Sequence, residues 1–236
     1  ETLQIPDVED EFTELIVGIS LMVDDFREII QELQSAEDNL QQRYEAIQLT
    51  NRSSNRFHNL SLDQIDQGIN EAMQEVALFV GANRSSLFSI SDDLITLTNT
   101  HEWCASPDDS QIEMLQGIPF ETFGAHANTL KKHEIISIST IDDYPPEASA
   151  EKEWVEQHGF RSLLFVPLLL EGKLLGAVGL YGAVGDEISW SDINVNLLQL
   201  IGDIIVVTLN RRKVEQSNTR LGRILEDSLN EIYIFD

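Results

Sequence analysis

The chain has 236 residues, 42% hydrophobic and 7% aromatic, enough for one sizeable domain with helical extensions. Its net charge of −26 is uneven, with 21 acidic against 6 basic residues giving −15 across 61–190, −9 before it and −2 after it. That field repels phosphate backbones and anionic lipid, which excludes nucleic acid and membrane contact as expectations, although an acidic surface also serves plain solubility.

The single cysteine, Cys104, rules out an internal disulfide framework and a multi-cysteine zinc site and fits a reducing, cytoplasmic setting. No signal peptide and no membrane span is read: Leu163 to Val184 is interrupted by Pro167, Glu171 and Lys173. Glu1 is no natural initiator, so a longer protein is expected.

Near the N-terminus Phe12, Ile19, Phe26, Leu33, Leu40 and Ile47 recur every seven residues. Ile16, Val23, Ile30 and Tyr44 fall between them, with Glu37 and Asn51 breaking the series. This three-and-four spacing predicts a coiled-coil helix from 12 to about 50 that seeks a partner, since packing on a globular face would drift at ~3.6 residues. The polar, serine-rich run Asn51–Asn59 predicts a bend. Ser61 and Gln64 form a capping-box pattern opening a second helix through Ile65, Ile69, Met73, Val76 and Val80, ended by Gly81.

The period then changes to two. Ser86–Ile90 and Leu94–Thr98, running on towards Trp103, predict a hairpin. A loop with Pro107, a short helix over 120–132, a strand over 135–139, a turn at Asp142–Pro146 and a helix over 147–158 follow. Arg161–Leu170 and Lys173–Tyr181 predict an apolar hairpin around Glu171-Gly172. Ser191 caps a last helix, and there the heptad spacing returns: Leu200, Ile204, Val207, Val214, Leu221 and Leu225, interrupted by Arg211 and Asn218. Consecutive hairpins imply an α+β domain with a largely antiparallel sheet, helices on its faces and coiled-coil helices at both ends.

Several segments in order resemble a GAF domain of bacterial multi-domain sensor kinases and cyclic-di-GMP enzymes. They are Thr100-His-Glu-Trp-Cys-Ala105, Leu115-Gln-Gly-Ile-Pro119, Asp142-Asp-Tyr-Pro-Pro-Glu-Ala148, Gly159-Phe-Arg-Ser-Leu-Leu164, Val166-Pro167-Leu168, Leu175-Gly176 and Trp190-Ser191. The resemblance implies about six antiparallel strands, with the first and last helices on one face and a ligand pocket on the other. Ile224 to Asp236 resembles the entry into a PAS domain. The expected division is a coiled-coil helix at 1–60, the GAF-like sensor at 61–210, a coiled-coil linker at 211–229 and the start of a PAS-like domain at 230–236.

Catalytic motifs are missing: there is no Gly-rich phosphate loop with lysine and no His-Glu-x-x-His pair, and His58, His101, His126, His133 and His158 are scattered. No enzyme activity, metal or cofactor is therefore expected of this segment. Bilin-carrying GAF domains attach the chromophore through a cysteine commonly followed by histidine, but Ala105 follows Cys104 here. Cys104 reads better as a small buried hydrophobe. The expected pocket residues are His101, Trp103, Cys104, Phe120, Phe123, His126, Trp154 and Tyr181. Related domains place bulky aromatics where Gly124 and Ala125 stand, which leaves a cavity or a rearranged lid.

The function expected is a homodimeric sensory relay. A small molecule in the pocket would bias the coils, with Arg211 and Asn218 as weak points in the second seam. A bilin- or haem-carrying photoreceptor or gas sensor, and a ligand-free dimerisation spacer, are the alternatives.

Overall fold

A computed structural model describes residues 11–183, 185 and 188–233, the side chains of 11, 13, 14 and 225–233 excepted. Two compact units divide the chain, Glu1–Ala46 and Ile47–Asp236. The described residues of the first are the leading part of one helix, α1 (Glu11–Asn59). Its seam residues Ile19, Val23, Phe26, Ile30, Leu33 and Leu40 are exposed and Ile16 is half-buried. A further exposed row, Leu15, Met22 and Ile29, lies beside the seam and widens it towards the three-position face of a helical bundle. The stripe is larger than the scattered single hydrophobics usual on a protein surface.

The bend expected over 51–59 does not occur: α1 runs on to Asn59. Leu49, Ser53 and Phe57, four residues apart, are buried within the second unit, and Arg56 pairs with Glu71 at 3.1 Å and with Glu75. Tertiary burial outweighs the weak helix propensity of the polar run. The next helix, α2 (Ile65–Val80), begins as the sequence suggests. Gln64 Oε1 accepts from Ser61 N at 3.2 Å, and Gly81, at φ 75°, provides the left-handed C-terminal residue.

Six strands follow: β1 (Arg84–Ile90), β2 (Thr96–Cys104), β3 (Ile118–Pro119), β4 (Ile136–Ile138), β5 (Phe160–Leu170) and β6 (Lys173–Ala183). They form one antiparallel sheet in the order β3-β2-β1-β6-β5-β4. The two residues of β3 carry no alternation that a sequence pattern would reveal. Glu171 and Gly172, at φ 51° and 77°, make the left-handed β5–β6 turn.

Side chains alternate across the central strands. Leu164, Val166, Leu168, Val178 and Leu180 are buried on the face covered by α2 and by α5 (Asp192–Tyr233). Leu163, Ala177 and Tyr181 belong to the other face, which α3 (Gly124–Lys131) and α4 (Ser149–Gln157) cover. The β5 strand is thus buried on both sides, which explains its nearly unbroken apolar sequence.

The α5 helix presents two apolar faces. Leu197, Leu198, Ile201 and Ile205 are buried against the sheet, where a Cβ on Gly202 would stand 2.8 Å from Leu168 Cδ2. Leu200, Val207, Val214 and Leu221 are exposed on the other side, with Ile204 half-buried; the side chain of Leu225 lies outside the described residues. By length and composition alone, Asp192–Ile224 is long and apolar enough to cross a membrane, an 18-residue window in it having a mean hydropathy of 1.5. The domain itself buries 39% of that window. Of the PAS-like start expected at 230–236, residues 230–233 continue α5 and residues 234–236 lie outside the described residues.

At the start of α5, Trp190 Nε1 donates to the Ile138 carbonyl at 2.9 Å and ties the helix to β4. The closest approach in the sheet is at Gly176, where an added Cβ would stand 1.9 Å from the Phe88 carbonyl oxygen. Gly176→Ala forces β1 and β6 apart and is expected to cost about 2–3 kcal/mol in urea unfolding. An unchanged stability would contradict the β1–β6 register.

Candidate functional site

The sheet face opposite α2 and α5 holds a cavity of about 50 Å³. Its floor is built by strands: Phe88 of β1, Leu97 of β2, Leu163 and Phe165 of β5, and Ala177 and Tyr181 of β6. Phe165 pairs directly with Gly179, and its ring occupies the space a Cβ there would need, 2.3 Å away. The Phe165 ring then meets Tyr181 edge-on, centroids 5.4 Å apart, and Phe88 at 5.9 Å. The roof comes from the 3-10 turn Phe120–Phe123, from α3 and from α4. Phe123 stands edge-on to Trp154 at 5.5 Å, and Trp154 stacks on His158 at 4.1 Å.

Five of the residues singled out from the sequence line this cavity: Phe120, Phe123, His126, Trp154 and Tyr181. His101, Trp103 and Cys104 do not. A bulge between β1 and β2 causes the first displacement. Leu87 pairs with His101 but Phe88 with Asn99, so an extra residue, Thr100, shifts the alternation. His101 therefore meets α2, its Nε2 lying 3.1 Å from Asp66 Oδ1. Trp103 pairs with Ser85 at the far end of the strand.

Cys104 is half-buried beside a buried ion pair between Arg84 and Glu102. Burial, with Glu102 nearby, pushes its thiol up to about 11. Glu102 also accepts from Ser110 Oγ at 2.6 Å and from the backbone N–H groups of Gln111 at 2.9 Å and Ile112 at 3.2 Å. The pair thus anchors the loop between β2 and β3. The Arg84 guanidinium lies 5.4 Å from the ring centroids of both Phe160 and Tyr181.

Two polar groups stand in the cavity wall. His126 Nε2 is buried without a hydrogen-bond partner. Burial lowers the imidazole to about 4, against the opposing attraction of Glu151, so the ring is neutral at pH 7. Glu151, 3% exposed, accepts from Ala125 N at 2.7 Å and so satisfies one of the free N–H groups at the start of α3. Sequence reading missed Glu151. Its signal was positional: with Ala148 and Val155 it falls on one face of α4, and both neighbours are buried. Among the described residues no group of His, Cys, Asp and Glu is arranged to hold a metal. What the wall offers is ring faces and hydrogen-bond acceptors.

The GAF domain model matches residues 64–209. The methanogenesis regulatory histidine kinase FilI of Methanothrix harundinacea (strain 6Ac) is 25% identical over 177 residues, which are 71% of this chain and 19% of that protein. The chain therefore spans about a fifth of that relative's length. Among solved structures, the phycocyanobilin-bound GAF domain from a cyanobacterial phytochrome is 19% identical, covering 72% of this chain and 96% of its own, with a TM-score of 0.59. GAF3 from Slr1393 of Synechocystis sp. PCC6803 in its photoproduct state is 17% identical, covering 66% and 98%, with a TM-score of 0.54. These structural likenesses establish the fold.

Two measurements follow from the electrostatics. The folded state holds the His126 proton less tightly than the unfolded chain, which titrates near 6.5. Its contribution is full above that pH and declines as the pH falls towards about 4, by up to about 3 kcal/mol. His101 is shifted in the same direction by burial. In urea unfolding at pH 7 and 4.5, His126→Phe is expected to flatten this pH dependence. Cys104 is expected to react with iodoacetamide far more slowly than a free thiol at pH 8, read by mass spectrometry.

Proposed function

The chain belongs to the GAF-domain family, and from that premise we propose that it is a non-catalytic sensory relay acting as a parallel homodimer. A small molecule occupies the cavity, and its presence biases the packing of the terminal helices. The observation that carries this reading is the double burial of β5. Leu163 and Phe165 form the cavity floor, while Leu164, Val166 and Leu168 on the same strand are buried on the α5 side. A ligand that displaces Phe165 cannot do so without loading the strand under α5. Such coupling requires that the ligand bind the two helix arrangements with different affinity.

Arg211 has a different place in this mechanism from the weak seam position expected. Its guanidinium donates to the Leu60 carbonyl at 3.0 Å and to that of His58 at 3.4 Å, closing the end of α1. Arg212 beside it pairs with Asp66 of α2, which His101 of β2 also meets. The incoming helix, the sheet and the outgoing helix thus meet at one clasp. Asn218 remains an exposed polar break in the seam.

The regulatory histidine kinase relative supports a signalling context, with an output domain and a PAS-type module beyond Asp236 as part of the proposal. A bilin reading is disfavoured by volume: the cavity holds about 50 Å³, whereas pockets for drug-sized ligands run to about 300–1,000 Å³.

The relay reading is tested by a thermal-shift metabolite screen on the chain, in which at least one compound is expected to raise the melting temperature. A screen with no stabilising compound would leave the spacer reading. Val23→Glu with Ile30→Glu is expected to yield monomers in sedimentation, since each buried seam aliphatic is worth about 1.5–3 kcal/mol. An unchanged dimer would place the interface elsewhere. Arg211→Ala is expected to cost about 1–3 kcal/mol of stability in urea unfolding while leaving the dimer intact.

A further inference from the structure

Glu151, almost fully buried, brings a carboxyl group into an otherwise apolar cavity wall. Among the described residues it has one hydrogen bond, from Ala125 N, and no ion pair. The nearest lysine and arginine in sequence are engaged elsewhere, Lys152 with Asp142 at 3.9 Å and Arg161 with Glu156 at 3.5 Å, and Lys131 of α3 pairs with Glu121. Buried carboxylates are ordinarily paired. The first turn of α3 supplies only a partial positive charge, and it reaches one oxygen. The second polar group of the wall, His126 Nε2, is also buried without a partner, and as a neutral imidazole it can accept from a ligand N–H.

Around these two acceptors the lining is apolar and aromatic, with Phe120, Phe123, Trp154 and Phe165 contributing ring surface. Rings flanking a carboxylate make a favourable enclosure for a cation. No lysine or arginine lines the wall to neutralise an anion, and the buried Arg84 is already paired with Glu102. The net −15 of residues 61–190 also raises the local concentration of cations.

We infer that the cavity takes a small organic cation, an aliphatic ammonium whose charged group pairs with Glu151 and donates to His126 Nε2 while its carbon chain lies among the rings. The inference rests on the sensory reading of the cavity and names the chemistry of its ligand. A volume of about 50 Å³ sets the size at a few heavy atoms.

The test titrates the chain with propylammonium, 1-propanol and propionate, following melting temperature and tryptophan fluorescence. Propylammonium is expected to bind at least tenfold more tightly than 1-propanol, and propionate not at all. Glu151→Gln keeps an acceptor for Ala125 N–H and is expected to lose that tenfold preference while still melting cooperatively. If that variant does not fold, His126→Phe provides the second arm, with a several-fold loss for propylammonium expected. Equal binding of ammonium and alcohol, or undiminished ammonium binding by either variant, overturns the cation assignment and leaves the sensory reading standing. If none of the three probes binds and no metabolite of any charge stabilises the chain, both fall.

Discussion

Everything in this domain depends on one strand being buried from both sides. Because β5 has no solvent face, the alternation of its side chains divides a single run of apolar residues between two jobs. Odd positions such as Leu163 and Phe165 build the floor of a small cavity, and even positions such as Leu164 and Val166 hold the helix layer. Close packing makes such a strand a poor place to absorb change locally. The same strand therefore joins the cavity floor to the layer of α5, a path of direct packing.

Glycines set the tightness of that path. Gly176 lets β6 approach Phe88, Gly179 gives Phe165 a surface to lie on, and Gly202 lets α5 settle onto Leu168 and Val178. With side chains at these positions the layers would stand farther apart and the cavity floor would be uncoupled from the helices. The clasp of Arg211 and Arg212 completes the connection from the other side. It joins α5 to the end of α1 and to α2 through hydrogen bonds that span some 150 residues of sequence. Such bonds to charged groups are stronger than neutral ones and are directional, so they hold a defined register.

The cavity itself combines a cheap feature and a costly one. Aromatic burial contributes to stability wherever it occurs, but a carboxylate among rings is a cost unless something compensates it. Glu151 accepts from the first turn of α3, whose N-cap residue, Phe123, supplies no capping side chain. One residue thus serves both the lid and the wall. A ligand that changes its charge environment also acts on the helix that roofs the site.

The sequence by itself determined the elements and their outward faces. The heptads of α1 and α5, the capping sequence before α2, the hairpin of β5 and β6 and the antiparallel α+β class all follow from local periodicity and turn chemistry, which nearest neighbours along the chain enforce. Five aromatic and histidine members of the cavity wall, Phe120, Phe123, His126, Trp154 and Tyr181, were legible through the resemblance of their segments to GAF domains rather than through local periodicity. Tertiary structure decided the rest. A bulge at Thr100 turned His101 towards α2, burial straightened residues 51–59 into helix, and Arg211 found carbonyl partners across the fold. Glu151 entered the cavity wall because of how α4 lies on the sheet. Each of these outcomes turns on register or on a partner distant in sequence, and no local pattern encodes either.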